Sequence, residues 1–208
     1  MNPAVLSFVA SSLSADDVRG RSVLEVGAAD FNGTPRSVLE RHEPAKYVGV
    51  DLYPGKGVDL VVGVSFLVDR FGLGHFDVVV STEMLEHVQD WRWAVSQLKR
   101  VTSPEGRLLV TTRSPGFYYH GYPHDFWRFT EADFAHIFSD FEDVHVEPDP
   151  SSPGVFVCAR RPRQFVETDL TGYEVATSPE PPLGPLLAHV KVTAGRRIKR
   201  LVRRVRGQ

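Results

Sequence analysis

Short apolar runs alternate with segments of helical spacing along most of the chain. Continuous apolar runs bounded by turn residues predict buried strands, and they fall at 22–27, 47–52, 58–63, 76–82, 106–113, 143–148 and 155–160. Apolar residues at helical spacing predict helices over 3–13, 34–42, 86–101 and 130–141. In the second of these, Thr34 suits the N-cap and Pro35 the first turn. The alternation predicts an α/β fold with a doubly wound sheet.

The length of 208 residues allows one α/β domain with appendages. We expect this domain, with a leading helix, to occupy residues 1–162. The run SPEPPLGP is typical of a linker, which we place at 163–190. Residues 191–208 are predicted to form a basic amphipathic helical tail, because apolar residues recur there at helical spacing among arginines.

The charge is divided unevenly between the domain and the tail. The chain has 24 basic and 26 acidic residues, a formal charge of -2, but eight of the basic residues and no acid lie in 191–208. Removing those eight leaves 16 basic against 26 acidic residues, so the rest of the chain carries about -10. A polyphosphate would be repelled by such a body, and no nucleic-acid partner is expected.

Cys158 is the single cysteine, which excludes an internal disulfide and a multi-cysteine zinc site, and its setting VFVCAR predicts a packed core thiol. No basic leader precedes the first apolar residues, and no apolar run approaches the ~18 residues of a membrane span. We therefore expect a cytoplasmic protein.

The first predicted strand runs into a turn with the sequence VLEVGAADFNG. A dinucleotide-binding turn needs several glycines so that backbone N–H groups can approach a pyrophosphate. Gly27 is present, but Ala29 and Phe31 stand where further glycines would come. The turn therefore suits a ligand built from adenosine and an amino acid, without phosphate.

Asp51 lies at the end of the second predicted strand, 24 residues after Gly27. An acid at this place can accept hydrogen bonds from both ribose hydroxyls and repel a 2′-phosphate. The glycine turn and the acid together predict S-adenosylmethionine as the cofactor.

These features, followed by FDVVVSTEMLEHV, resemble the class I S-adenosylmethionine-dependent methyltransferases over about residues 21–162. The resemblance implies a Rossmann-like sheet that is mostly parallel with an antiparallel last strand. It implies that the cofactor is lined by Glu25, Gly27, Ala28, Ala29, Asp30, Asp51, Leu52, Val64, Ser65, Thr82 and Glu83.

Methyl transfer from a sulfonium is an in-line displacement, so the protein must hold the acceptor and remove its proton. The segment SPGFYYHGYPHDFWRFT at 114–130 concentrates aromatic residues around two histidines. Aromatic faces stack on sugar rings, and Tyr and Arg supply hydrogen bonds to hydroxyls. The predicted catalytic residues are His120, His124, Asp125 and Tyr119. The predicted substrate contacts are Tyr118, Tyr122 and Arg128.

The segment EMLEH supplies a candidate metal site. On a helix, Glu83, Glu86 and His87 would share one face, and His124 would complete a Mg²⁺ or Mn²⁺ site. This resembles the metal-dependent small-RNA ribose 2′-O-methyltransferases, and ubiquinone-pathway O-methyltransferases are similar at EMLEHV. With a metal bound, His124 would be a ligand and His120 the base; without one, either histidine would be the base.

The aromatic segment also resembles actinobacterial sugar O-methyltransferases that serve polysaccharide biosynthesis. We expect a sugar or oligosaccharide hydroxyl as acceptor, for example on methylated mannosides. The alternatives are a quinol or phenol O-methyltransferase and a cofactor-binding domain without catalysis. The basic tail is expected to dock on the body or a second subunit of a homodimer, with peripheral contact to an anionic membrane as the alternative.

Overall fold

The computed structural model describes residues 2–121 and 123–179. Its helices are α1 Pro3–Ser12, α2 Ala15–Val18, α3 Arg36–Leu39, α4 Leu67–Phe71, α5 Trp91–Val101 and α6 Glu131–Ile137. Its strands are β1 Ser22–Val26, β2 Lys46–Asp51, β3 Leu60–Val61, β4 Phe76–Thr82, β5 Thr102–Arg113, β6 Trp127–Arg128, β7 Glu142–Pro148, β8 Gly154–Arg160 and β9 Ala176–Thr177.

Seven strands form one sheet in the order β3-β2-β1-β4-β5-β8-β7. Strands β3, β2, β1, β4 and β5 pair in parallel, whereas β8 is antiparallel to both β5 and β7. The α/β prediction of a mostly parallel sheet with an antiparallel last strand is therefore confirmed. Because the order reverses between β1 and β4, the carboxyl ends of these two strands flank the switch point, where open α/β sheets bind ligands.

Two apolar layers cover the sheet because alternate residues of each strand face opposite sides. On one face, α1 packs with Val23 of β1 and with Phe156 and Cys158 of β8. On the other, α5 and α6 pack over Leu24 and over Val157. Cys158 is buried in the first layer, as its sequence setting predicts, and burial raises the pKa of its thiol to about 11.

Residues 163–179, predicted as the start of a linker, pack on the domain. Leu170 lies in the core, and the short strand β9 pairs antiparallel with β6. The N–H of Ser178 then donates to the carbonyl of Phe126 at 2.7 Å. The packed domain therefore extends beyond residue 162, and the predicted tail at 191–208 lies outside the described residues.

Several predicted elements are shorter in the structure, among them the helices expected over 34–42 and 130–141, which are α-helical at Arg36–Leu39 and Glu131–Ile137. The strand expected over 58–63 is confined to Leu60–Val61, and the helix expected from residue 86 begins at Trp91. Asp90 caps that helix by accepting from the N–H of Trp93 at 3.1 Å, which fixes its start. Within residues 2–121 and 123–179, every helix falls short of the length and apolarity needed to cross a membrane.

Candidate active site

The turn after β1 is tightly packed against the segment that follows β4. Gly27 adopts a φ of +82°, and a Cβ there would stand 2.9 Å from the Cβ of Met84. Only glycine meets both conditions without strain. The N–H groups of Gly27 and Ala28 donate to the carbonyl of Val50 at 2.9 and 3.0 Å, so the turn is tied to the end of β2.

Asp51 lies half-buried at the end of β2, facing this turn. Its carboxylate accepts from the N–H of Ala29 at 3.1 Å and of Tyr53 at 3.3 Å. A carboxylate has about four acceptor sites, so it can still accept from a ligand diol. The neighbouring side chains of Leu52 and Phe66 are exposed and apolar. Asp51 and these side chains fit the ribose and the base of an adenosine.

Val64 and Ser65 lie in a 3₁₀ turn after β3, beside this apolar surface. The ring N–H of Trp93 donates to the carbonyl of Ser65 at 3.1 Å and anchors the turn to α5. Asp30 forms an ion pair with Lys56 at 2.6 Å, while Phe31 is 81% exposed. Phe31, which stands where further glycines would come, therefore points into solvent.

Glu25 is buried under the turn. Its carboxylate accepts from the hydroxyls of Tyr47 at 2.8 Å and Thr34 at 2.9 Å. Burial raises its pKa to about 7, although these two hydroxyls and Arg36 act in the opposite direction. Thr34 also accepts from the N–H of Arg36 at 3.1 Å, so one residue joins the start of α3 to the buried acid.

The predicted helical face of Glu83, Glu86 and His87 does not form. Glu83 has a φ of +55°, a left-handed conformation in which an α-helix cannot start, and only the single 3₁₀ turn Leu85–His87 follows. Glu83 instead accepts from the hydroxyl of Thr111 at 3.0 Å and pairs with Arg113. Its pKa is raised to about 7, first by burial and then by repulsion from Glu86.

Glu86, His87 and His120 converge on one point, with one donor atom from each within 4.8 Å of the others. Glu86 is fully buried, and its Oε2 accepts from the hydroxyl of Thr112 at 2.8 Å. Its Oε1 has no hydrogen-bond partner among the described residues. That oxygen lies 3.5 Å from Nε2 of His120 and 3.9 Å from Nε2 of His87.

The far side of each imidazole is held by a hydrogen bond. Nδ1 of His120 lies 2.9 Å from a carboxylate oxygen of Asp125, and Nδ1 of His87 lies 2.6 Å from the carbonyl oxygen of His124. A carbonyl only accepts, so Nδ1 of His87 carries a proton, and in the neutral ring Nε2 is then the nitrogen with the lone pair. Such outer partners are typical of metal-binding histidines. The unpaired Glu86 oxygen and the two imidazoles fit a divalent cation.

Opposed charges set the protonation of this cluster. Burial alone would lower the pKa of His120, but Glu86 and Asp125 raise it overall. Burial would raise the pKa of Glu86, yet His120, His87 and Thr112 hold it below its usual value. The pKa of Asp125 is also lowered, although burial would raise it, because the guanidinium of Arg128 and the ring of His120 face its carboxylate. Without a cation the cluster therefore favours ionised carboxylates beside a protonated His120, and a bound cation would have to displace that proton.

Arg128 is buried beneath the aromatic segment rather than open to a substrate. Its Nη2 donates to Asp125 at 2.7 Å and to the carbonyl of Tyr118 at 3.0 Å, and Nη1 donates to the carbonyl of Trp127 at 2.7 Å. This placement gives Arg128 a different role from the predicted substrate contact. It positions Asp125, and through Asp125 it positions His120.

The other predicted acceptor residues lie around the cluster. Tyr118 is 69% exposed, and its ring stacks on Phe117 at 4.5 Å. Tyr119 is half-buried, with its ring over Gly121. The ring of His124 is exposed and packs near Phe126, so only the carbonyl of His124 reaches the cluster. Tyr122 lies outside the described residues.

The sequence interpretation missed Arg113, which ends β5 beside Glu83. Its guanidinium is buried, lies 4.2 Å above the ring of Phe117 and donates to Asp149 at 3.4 Å. Asp149 also accepts from the side chain of Asn2 at 2.6 Å, which joins the start of α1 to the site. An arginine as the last residue of an apolar strand, at the edge of the sheet where ligands bind, is the sequence signal that could have identified it.

The sequence model of the family described as "Methyltransferase domain" matches residues 4–143. A curated relative, the ubiquinone biosynthesis O-methyltransferase of Erwinia tasmaniensis, is 32% identical over 126 residues, which is 54% of this chain and 49% of the relative. The chain thus spans about half the length of that relative.

Two solved structures share the fold. The 1,6-didemethyltoxoflavin-N1-methyltransferase of Burkholderia thailandensis, determined with S-adenosylhomocysteine, has a TM-score of 0.57 at 18% identity and covers 77% of this chain and 79% of its own. An S-adenosylmethionine-dependent methyltransferase of Mesorhizobium loti has a TM-score of 0.56 at 17% identity and covers 77% of this chain and 99% of its own.

Proposed function

Because the chain belongs to the methyltransferase domain family, we propose that it is an S-adenosylmethionine-dependent O-methyltransferase acting on a hydroxyl of a sugar or oligosaccharide, such as a methylated mannoside in polysaccharide biosynthesis. The observation that carries this proposal is the cluster of Glu86, His87 and His120 beside the exposed ring of Tyr118. The ring of Tyr118 lies 6.2 Å from that of His120, and the cluster begins two residues after Met84, which packs against the turn at Gly27.

The cofactor is held by the carboxyl ends of β1, β2 and β4. Gly27 allows the close turn, Asp51 accepts from the ribose hydroxyls, and Leu52 with Phe66 contacts the adenine. Thr82 and Glu83, at the end of β4, lie toward the methionine end. These residues keep the methyl group at the edge of the sheet where the aromatic segment begins.

An aliphatic hydroxyl is a weak acid, so methyl transfer to its oxygen requires a group that helps the hydroxyl to lose its proton. Glu86, His87 and His120 would supply that help by holding a divalent cation, for which Oε1 of Glu86 and two oriented imidazoles are suitable donors. A cation at such a site lowers the pKa of a bound hydroxyl. Within this proposal His120 replaces His124 in the predicted ligand set, and Glu83 leaves that set because Thr111 and Arg113 hold it.

Aromatic residues of the segment 114–130 receive the sugar. The exposed face of Tyr118 is available for stacking on a sugar ring, because its other face rests on Phe117. The segment is anchored where the N–H of Phe126 donates to the carbonyl of Glu86 at 2.8 Å. Acceptor platform and cluster are therefore fixed relative to each other.

Methylation of a quinol or phenol is the second candidate, and the similarity to a ubiquinone biosynthesis O-methyltransferase favours it. A phenol ionises more readily than a sugar hydroxyl, so a histidine base alone would suffice. In that reaction Nε2 of His120, oriented through Asp125, would take the proton.

The test is transfer of labelled methyl from S-adenosylmethionine to a panel of mannosides, other oligosaccharides, phenols and short RNA, with EDTA or with added Mg²⁺ or Mn²⁺. Transfer to a sugar that EDTA stops supports both the acceptor class and the cation. EDTA-insensitive transfer to a sugar overturns the cation and leaves His120 as a base acting alone. Transfer to phenols only overturns the sugar proposal.

A further inference from the structure

Two carboxylates stand at the end of β4, but only one of them enters the cluster. Glu86 directs its Oε1, which accepts no hydrogen bond among the described residues, at Nε2 of His120 at 3.5 Å and Nε2 of His87 at 3.9 Å. Glu83, three residues earlier, has one oxygen on the hydroxyl of Thr111 and the other on Arg113. Its left-handed backbone turns the side chain toward the end of β5.

Arg113 is fixed from several sides. Its Nη1 donates to Ser152 at 3.0 Å and to Asp149 at 3.4 Å, its plane lies 4.2 Å from the ring of Phe117, and the residue is 8% exposed. A planar guanidinium with these contacts has a defined orientation, which a lysine would not keep. Arg113 therefore holds Glu83 in place and is not itself free to follow that side chain.

The donor set of a cation site decides which ion it prefers. Mg²⁺ favours oxygen donors and is usually bound through carboxylates and water, whereas imidazole favours transition-metal ions. Without Glu83, the cluster offers one carboxylate and two imidazoles. With Glu83, it would offer two carboxylates, a set better suited to Mg²⁺.

We propose that Arg113 is a specificity-determining residue: by holding Glu83 out of the Glu86–His87–His120 cluster, it gives the site a preference for Mn²⁺ over Mg²⁺. This inference rests on the cation site of the proposed function. It concerns which ion binds, and its test does not depend on the acceptor.

The test measures binding of Mn²⁺ to the full chain by electron paramagnetic resonance, with Mg²⁺ as the competitor. The wild-type protein is expected to bind Mn²⁺ roughly 10–100-fold more tightly than Mg²⁺. Glu86→Gln is expected to weaken Mn²⁺ binding by at least about 10-fold. Glu83→Gln keeps one carbonyl oxygen that can accept from Arg113, with its NH2 group facing the hydroxyl of Thr111. It is expected to leave Mn²⁺ binding within about 2-fold of wild type, because Glu83 is not a ligand in this proposal.

Arg113→Met releases Glu83 toward the cluster. In this variant the affinity for Mg²⁺ is expected to rise by roughly 10-fold relative to Mn²⁺, and the double variant Glu83→Gln/Arg113→Met is expected to return to the wild-type preference. Nitrogen modulation in the pulsed resonance spectrum of bound Mn²⁺ should report two imidazoles in the wild type and in both Glu83 variants.

The outcomes separate the inference from the proposal beneath it. If Glu83→Gln weakens Mn²⁺ binding as much as Glu86→Gln does, Glu83 is itself a ligand and the role given to Arg113 is overturned, whether or not Arg113→Met folds. If wild-type protein that binds S-adenosylhomocysteine binds no Mn²⁺, the cation site is overturned and the inference with it, while the methyltransferase assignment stands.

Discussion

His120 takes its orientation from residues that do not contact the acceptor. Arg128 holds Asp125, and Asp125 accepts from both the backbone N–H and the ring Nδ1 of His120. We expect Asp125→Asn to lower kcat by about 10–100-fold, the usual cost of losing the outer partner of an active-site histidine. The affinity for S-adenosylhomocysteine, measured by calorimetry, should stay unchanged because Asp51 is not touched.

Asp69→Asn is the matched control for this substitution, since Asp69 is an exposed acid on α4, away from the cluster. It should keep wild-type kcat. Equal losses of kcat and of cofactor affinity in Asp125→Asn would contradict a positioning role and indicate general damage to the fold.

Glu25 makes stability depend on pH. Its pKa is about 7 in the folded protein, against 4.5 ordinarily, because burial penalises the charged form. The folded state therefore binds the proton of Glu25 more tightly than the unfolded state does. The stability that this proton contributes is complete below pH 4.5 and is lost as pH rises through 7. Glu25→Gln should abolish this pH-dependent fall in the free energy of unfolding, which amounts to up to ~3 kcal/mol.

Urea unfolding of both proteins at pH 5 and pH 8 measures this effect. The free energy of unfolding of wild type should fall between the two values more than that of Glu25→Gln, so the variant gains relative stability at pH 8. Parallel pH dependence in the two proteins would show that Glu25 has an ordinary pKa in the folded chain.

At the scale of elements, the turn after β1 depends on a glycine for two separate reasons. Gly27 has a positive φ, and its missing Cβ leaves room for Met84 at 2.9 Å. Gly72 also has a positive φ, of +90°, but no atom lies within 4 Å of its Cβ position. Gly72→Ala therefore isolates the backbone term, about 1 kcal/mol.

Gly27→Ala should cost more than Gly72→Ala, because Met84 must move or the turn must open. We expect the free energy of unfolding to fall by about 1–3 kcal/mol more in Gly27→Ala than in the control. The Kd for S-adenosylhomocysteine should rise at least about 10-fold in Gly27→Ala only, since the strain falls on the cofactor turn. Equal effects of the two substitutions on cofactor binding would contradict the packing argument.

The segment after β8 supports the acceptor side of the site. Arg92 of α5 donates to the carbonyls of Leu170 and Tyr173, and β9 then pairs with β6. Arg92→Ala removes these hydrogen bonds, which together stabilise the segment by about 1–3 kcal/mol. Hydrogen exchange of peptides covering 170–178 and 126–128 should become roughly 10-fold faster.

Arg41→Ala, a substitution of an exposed arginine after α3, is the control and should leave both peptides protected. If exchange in 126–128 stays at the wild-type rate while 170–178 opens, the segment does not hold the aromatic loop, and the supporting role is excluded.

Most of the sheet could be predicted because buried parallel strands are continuous apolar runs. The strand 76–82 coincides with β4, and β5, β7 and β8 deviate only at their ends. Some short elements, such as α4, β6 and β9, could not be predicted. Glu83 adopts a left-handed backbone held by Thr111 and Arg113, and a helical pattern in the letters EMLEH carries no trace of that tertiary constraint.

The site was predictable only in the parts that lie on one segment. Gly27 and Asp51 follow strands, and His120 lies in the aromatic loop, so local patterns expose them. Arg113 and Asn2 meet Asp149 across 36 and 147 residues of sequence. The choice between His120 and His124 as a cluster member likewise depends on how the loop folds, which the spacing of the two histidines leaves open.

At the scale of the whole molecule, two sets of binding groups share one edge of the sheet without sharing a residue. In the proposed function, Asp51 and the turn at Gly27 would serve the cofactor, while Glu86, His87 and His120 would serve the cation. A ligand that binds only the folded state at 100 times its Kd stabilises by about 2.7 kcal/mol. For a chain of this size, that corresponds to a rise in Tm of roughly 5–10 °C.

Thermal unfolding with S-adenosylhomocysteine or Mn²⁺ should therefore separate the two sites. Asp51→Asn should lose most of the shift caused by S-adenosylhomocysteine, because a charged acceptor of the ribose contributes about 1.5–3 kcal/mol, and it should keep the shift caused by Mn²⁺. Glu86→Gln should show the reverse. Loss of both shifts in either variant would mean that the two sites form one cooperative unit, and the independent placement of cofactor and cation along the sheet edge would have to be abandoned.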